Sequence, residues 1–222
     1  MEICLPPGRA IVFDLDGVVI DSMPMHTEAW RRYLHGLGIE CDDIEPRMHG
    51  RRNDEIVADF IGANLAPEAV FAHGAAKEQL YRDMMRPALL AHLVPGVVEF
   101  LASSNGSPIG LASNAEPANI DFVLDGAGLR QWFRVIVDGH QVDRPKPFPD
   151  IYLRAAYLLG VAPADCIVFE DSPAGAAAAR AAGARVVGVE THSADLSGVD
   201  LSIRDFRDPA LKEWLESVER RT

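Results

Sequence analysis

The sequence predicts an α/β fold, a parallel sheet flanked by helices, with an all-helical insertion after the first strand. Three observations predict it. Short apolar runs alternate with stretches of helical spacing along most of the chain, the pattern of β-α units. One long stretch, residues 22 to about 92, has helical spacing and no convincing strand. Acidic or polar residues stand directly after several of the apolar runs, where open α/β sheets bind their ligands.

Ala10-Ile11-Val12-Phe13 is the first run, short and continuous as a strand covered on both faces must be. In the insertion, Trp30, Tyr33, Leu34 and Leu37 share one helix face, as do Ile56, Phe60 and Ile61, and residues 65–85 continue in that style. Pro95-Gly96 then opens a helix over 97–104. Strands at 109–112, 135–137, 166–169, 186–189 and 201–203 alternate with helices at 118–127, 150–159 and 174–182. Ser172-Pro173 supplies a cap and a first-turn proline, and Gly183 stands just past the helix end. From Pro209 onward, Leu211, Trp214, Leu215 and Val218 line one face of a last helix. The resulting division is a Rossmann-like core of residues 1–19 and 94–222 and a helical cap of residues 20–93. Its two crossings, near 19–22 and 93–96, are placed to act as hinges.

The totals narrow the function. With 222 residues, 48% of them hydrophobic and 24% charged, the chain can bury a sizeable core. A formal net charge of −12 argues against general nucleic-acid or anionic-membrane binding. An anionic substrate would then need local positive charge within the site. Cys4, Cys41 and Cys166 are odd in number and widely spaced, without a C-x-x-C, so a disulfide framework is not expected. No apolar run is long enough to span a membrane, and the first ten residues lack a signal-peptide pattern. A cytoplasmic monomer or small homo-oligomer is expected.

Four strand ends carry the chemistry. Asp14 and Asp16, followed by Gly17, end the first strand. Ser113-Asn114 follows 109–112, Lys146 follows the 135–137 strand within Arg144-Pro145-Lys146-Pro147, and Glu170-Asp171 follows 166–169. A parallel sheet brings such positions into one crevice. Crowded carboxylates raise one another's pKa unless a cation holds them. Oxygen ligands without histidine or thiolate suit a hard ion, Mg²⁺ above all. A lysine, a hydroxyl and amides around that ion suit a phosphoryl group. One aspartate is then free to act as nucleophile and its neighbour two residues on as general acid and base.

The ordered set Asp14-x-Asp16-Gly17, Ser113, Lys146 and Glu170-Asp171, with a helical insertion after the first motif, resembles the haloacid dehalogenase superfamily. The resemblance covers nearly the whole chain and is greatest to the group with a helical cap after the first strand, which includes beta-phosphoglucomutase and small sugar-phosphate and phosphoglycolate phosphatases. It implies that Asp14 is the nucleophile and Asp16 the acid/base. It also implies that Asp14, the Asp16 carbonyl and Asp171 ligate Mg²⁺, and that Ser113, the Asn114 amide and Lys146 hold the phosphate. Glu170 would position Lys146 or a metal-bound water. The dehalogenases lack an aspartate at the position of Asp16, so phosphoryl transfer is expected here.

In the cap, Asp21-Ser22-Met23-Pro24-Met25-His26, followed by Trp30, is similar to the start of the mutase cap. The stretch Met48-His49-Gly50-Arg51-Arg52-Asn53-Asp54-Glu55 is similar to its specificity loop. His26, Arg51 and Arg52 are therefore expected to face substrate. The arginine that binds the mutase's second phosphate is replaced by Asn53, which ranks a phosphatase of a small, sugar-phosphate-like metabolite ahead of a mutase. A third reading is a non-catalytic, Mg²⁺-binding receiver module. Receivers lack a cap and carry their phosphate-accepting acid on a later strand.

Overall fold

The computed structural model describes residues 8–48, 51–104, 106–191 and 196–219, which form two compact units. One contains the residues up to Asp21 together with those from His92 onward; the other runs from Ser22 to Ala91.

Among the described residues the first unit is built on six parallel strands and also holds α5 (Val97–Ser103), α6 (Pro117–Gly126), α7 (Asp150–Leu159), α8 (Pro173–Ala181) and α9 (Pro209–Glu219). The strands are β1 (Ala10–Phe13), β2 (Ile109–Ser113), β3 (Val135–Asp138), β4 (Cys166–Glu170), β5 (Arg185–Val189) and β6 (Leu201–Ile203), in the order β3-β2-β1-β4-β5-β6. The strand order reverses direction at β1, between its neighbours β2 and β4, so the carboxyl ends of β1 and β4 flank the switch point where such sheets place their sites.

Side chains on β1 alternate between two covered faces. Ala10 and Val12 join Cys166, Val168 and residues of α7 (Asp150–Leu159) and α8 (Pro173–Ala181) in one core. Phe13 lies on the other face, 5.1 Å from Phe169 and 6.0 Å from Phe100 between ring centroids. Phe133 and Phe206 complete that aromatic layer, and burying a ring of this size contributes about 1.5–3 kcal/mol. The chain crossings that leave and re-enter this unit are bonded to each other: Ile20 pairs with Leu93, and Val94 donates to the Val19 carbonyl at 3.0 Å. Among the described residues four 3-10 segments, at Arg86–His92 (leading out of the second unit), Arg130–Trp132, Gly139–Gln141 and Pro163–Asp165, have no counterpart in the sequence reading.

The second unit is helical: α1 (Met23–Gly36), α2 (Ile44–Met48), α3 (Asn53–Phe60) and α4 (Pro67–Met85). Prolines in the first turns of α1 and α4 fit the absent intrahelical partner there. Trp30, Leu34, Ile44, Met48, Ile56, Val57 and Phe60 form its core. Among the described residues no helix is long and apolar enough to cross a membrane.

Cys166 is buried and Cys41 partly so. Burial pushes the Cys166 thiol up to about 11, which suits a core residue and not a nucleophile. Cys4 lies outside the described residues.

Candidate active site

Strand parity decides which groups meet. Asp14 continues the β1 face of Ala10 and Val12, and Glu170 continues the β4 face of Cys166 and Val168. Lys146 reaches both. Its Nζ donates to Asp14 Oδ1 at 2.8 Å and to Glu170 Oε1 at 2.5 Å, and all three side chains are buried. Asp14, Glu170 and Asp171 each present an oxygen within 4.8 Å of the others. Asn114 ties the β2 end to this group, because its Oδ1 accepts from the Lys146 amide at 3.4 Å. Ser113 is buried beside it, its Oγ accepting from the Ala115 amide at 3.1 Å.

The charges do not balance, and the proton affinities follow. Burial pushes Asp14 up to about 7, with Glu170 and Asp16 adding repulsion and Lys146 pulling the other way. Burial also holds Asp171 well above the usual carboxylate range, with Glu170, Asp14 and Asp16 adding to it. For Lys146 burial opposes the charge, but Asp14 and Glu170 outweigh it and its pKa rises. Among the described residues Asp14, Glu170 and Asp171 thus crowd around the Lys146 ammonium, and a second cation would relieve them.

Glu170 is the poorest ligand for such a cation, because protein donors already occupy it. Oε1 accepts from Lys146 and from the Tyr152 hydroxyl, and Oε2 accepts from the Asp171 amide (3.1 Å), the Ser172 amide (3.3 Å) and Ser172 Oγ (3.1 Å). Asp171 is the reverse case: it is buried, and its carboxylate lies within 4.8 Å of oxygens of Asp14 and Glu170. Gly17 leaves it room. A Cβ there would lie 1.8 Å from Asp171 Oδ2, and the residue has φ +77°, so glycine alone fits. Thr191 Oγ holds this turn by donating to the Gly17 carbonyl at 2.7 Å. An oxygen-only acid cluster with an excess of negative charge fits Mg²⁺.

The structure thus brings together Asp14, Asp16, Asn114, Lys146, Glu170 and Asp171, with Ser113 next to Asn114. The remaining expected residues lie in the helical unit. His26 is buried there: its Nδ1 lies 3.1 Å from Lys77 Nζ, and its ring stacks on Tyr81 at 3.7 Å. Lys77 is 2% exposed, bonded to Glu78 at 2.7 Å and set 5.1 Å over the Trp30 ring. Arg51 bonds Asp59 at 2.9 Å, and Arg52 lies 3.4 Å from Asp54. His49 and Gly50 fall outside the described residues.

Sequence reasoning missed Lys77, Tyr152 and Thr191. Lys77-Glu78 reads as an ordinary exposed pair on a helix, and Tyr152 as core. For Thr191 no local signal marks a bond to a turn 174 residues away.

Comparison with known proteins now gives the family. A family model for haloacid dehalogenase-like hydrolase matches residues 9–183. Fructose-1-phosphate phosphatase YqaB of Escherichia coli (strain K12) is 34% identical over 175 residues, covering 78% of this chain and 91% of that protein. The beta-phosphoglucomutase of Bacillus subtilis (strain 168) is 32% identical over 219 residues, covering 93% of this chain and 95% of the mutase. Among solved structures, a HAD hydrolase of family IA, variant 3, from Entamoeba histolytica HM-1:IMSS superposes with a TM-score of 0.84 at 26% identity, covering 94% of this chain and 98% of that one. With the acid cluster and lysine at the ends of β1 and β4, these matches show that the chain is an enzyme belonging to the haloacid dehalogenase-like hydrolases.

Proposed function

We propose that this chain is a Mg²⁺-dependent phosphatase that hydrolyses a small, sugar-phosphate-like metabolite through an aspartyl-phosphate on Asp14. One observation carries the reading: Asp14 stands at the end of β1, 2.8 Å from Lys146 Nζ, within a buried acid cluster.

An Asp14 carboxylate oxygen attacks phosphorus, and the ester P–O bond breaks with its electron pair going to the leaving oxygen. Asp16 gives that oxygen its proton. Asp16 then takes a proton from water as the water oxygen attacks the same phosphorus, and the bond to Asp14 breaks to return its carboxylate. Lys146, Ser113 and the Asn114 amide hold the transferring oxygens. The side chains of Asp14 and Asp171 and the Asp16 carbonyl would hold Mg²⁺, whose charge offsets that of the phosphoryl oxygens. Lys146 opposes the burial that raises the proton affinity of Asp14 and so favours its nucleophilic carboxylate form.

A specific relative supports the substrate class, since YqaB acts on fructose 1-phosphate by its name. The mutase relative supports the alternative of sugar-phosphate transfer. Asn53 weighs against it: it stands where the mutase resemblance puts a phosphate-binding arginine, its amide donates to Glu78 Oε1 at 2.8 Å, and it brings no positive charge to a second phosphate. The test is turnover of a generic aryl phosphate and a panel of phosphorylated sugars, glycolate and nucleotides, with and without Mg²⁺ and a 1,6-bisphosphate. Phosphate release that needs Mg²⁺ and no bisphosphate is expected. Isomerisation that depends on the bisphosphate would establish the mutase, and inertness on the whole panel would favour the receiver-like module.

A further inference from the structure

Tyr152 is a hydroxyl placed where the fold asks only for a ring. It is the third residue of α7, and its amide donates to the Pro149 carbonyl at 3.0 Å in the first turn after the Lys146 loop. The side chain is 2% exposed and packs in a core otherwise made of alanine, valine, isoleucine, leucine and cysteine. Phenylalanine would satisfy that packing. A buried tyrosine hydroxyl instead needs a partner, and here it donates to Glu170 Oε1, the oxygen that also accepts from Lys146 Nζ. The ring itself lies beneath the lysine, 5.0 Å from Nζ to the centroid.

Glu170 is thereby gripped from two sides. The start of α8 holds Oε2 with three donors, and Tyr152 holds Oε1 from α7. Without the hydroxyl, Oε1 keeps only the ammonium, and the carboxylate is free to turn about the bond that Oε2 anchors. Lys146 would follow it, and the 2.8 Å contact with Asp14 would loosen.

We propose that Tyr152 is a positioning residue: its hydroxyl fixes the orientation of Glu170, so that Lys146 stays aimed at Asp14 and at the transferring phosphoryl group. The role rests on the phosphatase reading above. It concerns transition-state alignment, so it acts on kcat and leaves substrate affinity alone.

The experiment is a double-substitution cycle on the full chain with an aryl phosphate and saturating Mg²⁺: wild type, Tyr152→Phe, Glu170→Gln and the pair. Tyr152→Phe should lower kcat about tenfold with KM within about twofold. The pair should be no slower than Glu170→Gln alone, because the hydroxyl acts only through Glu170. A Phe variant with kcat within about twofold of wild type, or effects that multiply in the pair, would overturn the assignment. So would a Phe variant that fails to fold, since the ring is retained. A wild type that turns over no phosphate ester would refute the phosphatase reading instead. Melting temperatures of the same four proteins then decide Tyr152. A bonded pair gives a combined shift smaller than the sum of the single shifts, and an unlinked pair gives the sum.

Discussion

Replacing Gly175 with alanine separates two opposed effects whose sizes the structure sets. Gly175 lies in the first turn of α8, where alanine should favour the helix by up to about 1 kcal/mol. A Cβ there would stand 1.8 Å from Glu170 Oε1, 2.0 Å from its Cδ and 2.3 Å from Oε2. The carboxylate must withdraw by about 1.5 Å to reach ordinary contact. That breaks its 2.5 Å bond to Lys146 and strands the amides of Asp171 and Ser172. A hydrogen bond to a charged group contributes about 1.5–3 kcal/mol, and an unpaired buried donor costs about 1–3. The loss exceeds the helical gain, so the net change is about 2–5 kcal/mol against folding, or about 4–20 °C in Tm at this length. Misplacing Lys146 by about 1 Å should also lower kcat by about 10²-fold. Thermal melting and aryl-phosphate turnover read both. A variant with equal or higher Tm and kcat within about twofold of wild type would refute the reasoning, because Glu170 would then not be seated on α8 as described.

Further predictions follow from the same site. Asp14→Asn should lower kcat by at least about 10³-fold, and undiminished turnover would exclude it as nucleophile. Gly17→Ala should destabilise by at least about 1–2 kcal/mol from the left-handed backbone alone and abolish the Mg²⁺-induced rise in Tm, since its Cβ would displace Asp171; a retained rise would place the ion elsewhere. Mg²⁺ at a hundredfold its Kd should stabilise the wild type by about 2.7 kcal/mol. The raised proton affinities of Asp14 and Asp171 give this a pH dependence. The folded chain keeps protons that the unfolded chain releases from about pH 4 upward, so metal-free stability should fall as pH rises toward 7. The Mg²⁺ shift should grow over the same window, and a shift independent of pH would contradict it. Arg51→Ala and Arg52→Ala should raise KM at unchanged kcat if these side chains leave Asp59 and Asp54 for substrate, and an unaltered KM would remove them from the site.

What the sequence disclosed depended on how local each signal was. The strands announced themselves as apolar runs because a parallel sheet covered on both faces admits little else, and helix α7 was legible to its ends, 150–159. Asp14 and Glu170-Asp171 were legible because they stand at strand ends, and Lys146, in the loop after β3, because prolines flank it. Partnerships across the fold were not. Lys77 is a lysine on a helix in sequence and a buried cation beside His26 in the structure. Tyr152 reads as a core aromatic, since nothing in the chain shows that its hydroxyl meets a strand end 18 residues later. Arg51 and Arg52 read as substrate-facing cations, and their carboxylate partners Asp59 and Asp54 emerge only once α3 is folded.

Chemical trapping of the covalent intermediate tests the central claim most directly. Wild-type enzyme turning over an aryl phosphate with Mg²⁺ is quenched into borohydride, which reduces an acyl phosphate to the alcohol, and its peptides are mapped by mass spectrometry. The account predicts homoserine at position 14, present only when substrate is supplied. Homoserine at Asp16, Asp171 or any other acid, with Asp14 intact, would contradict it.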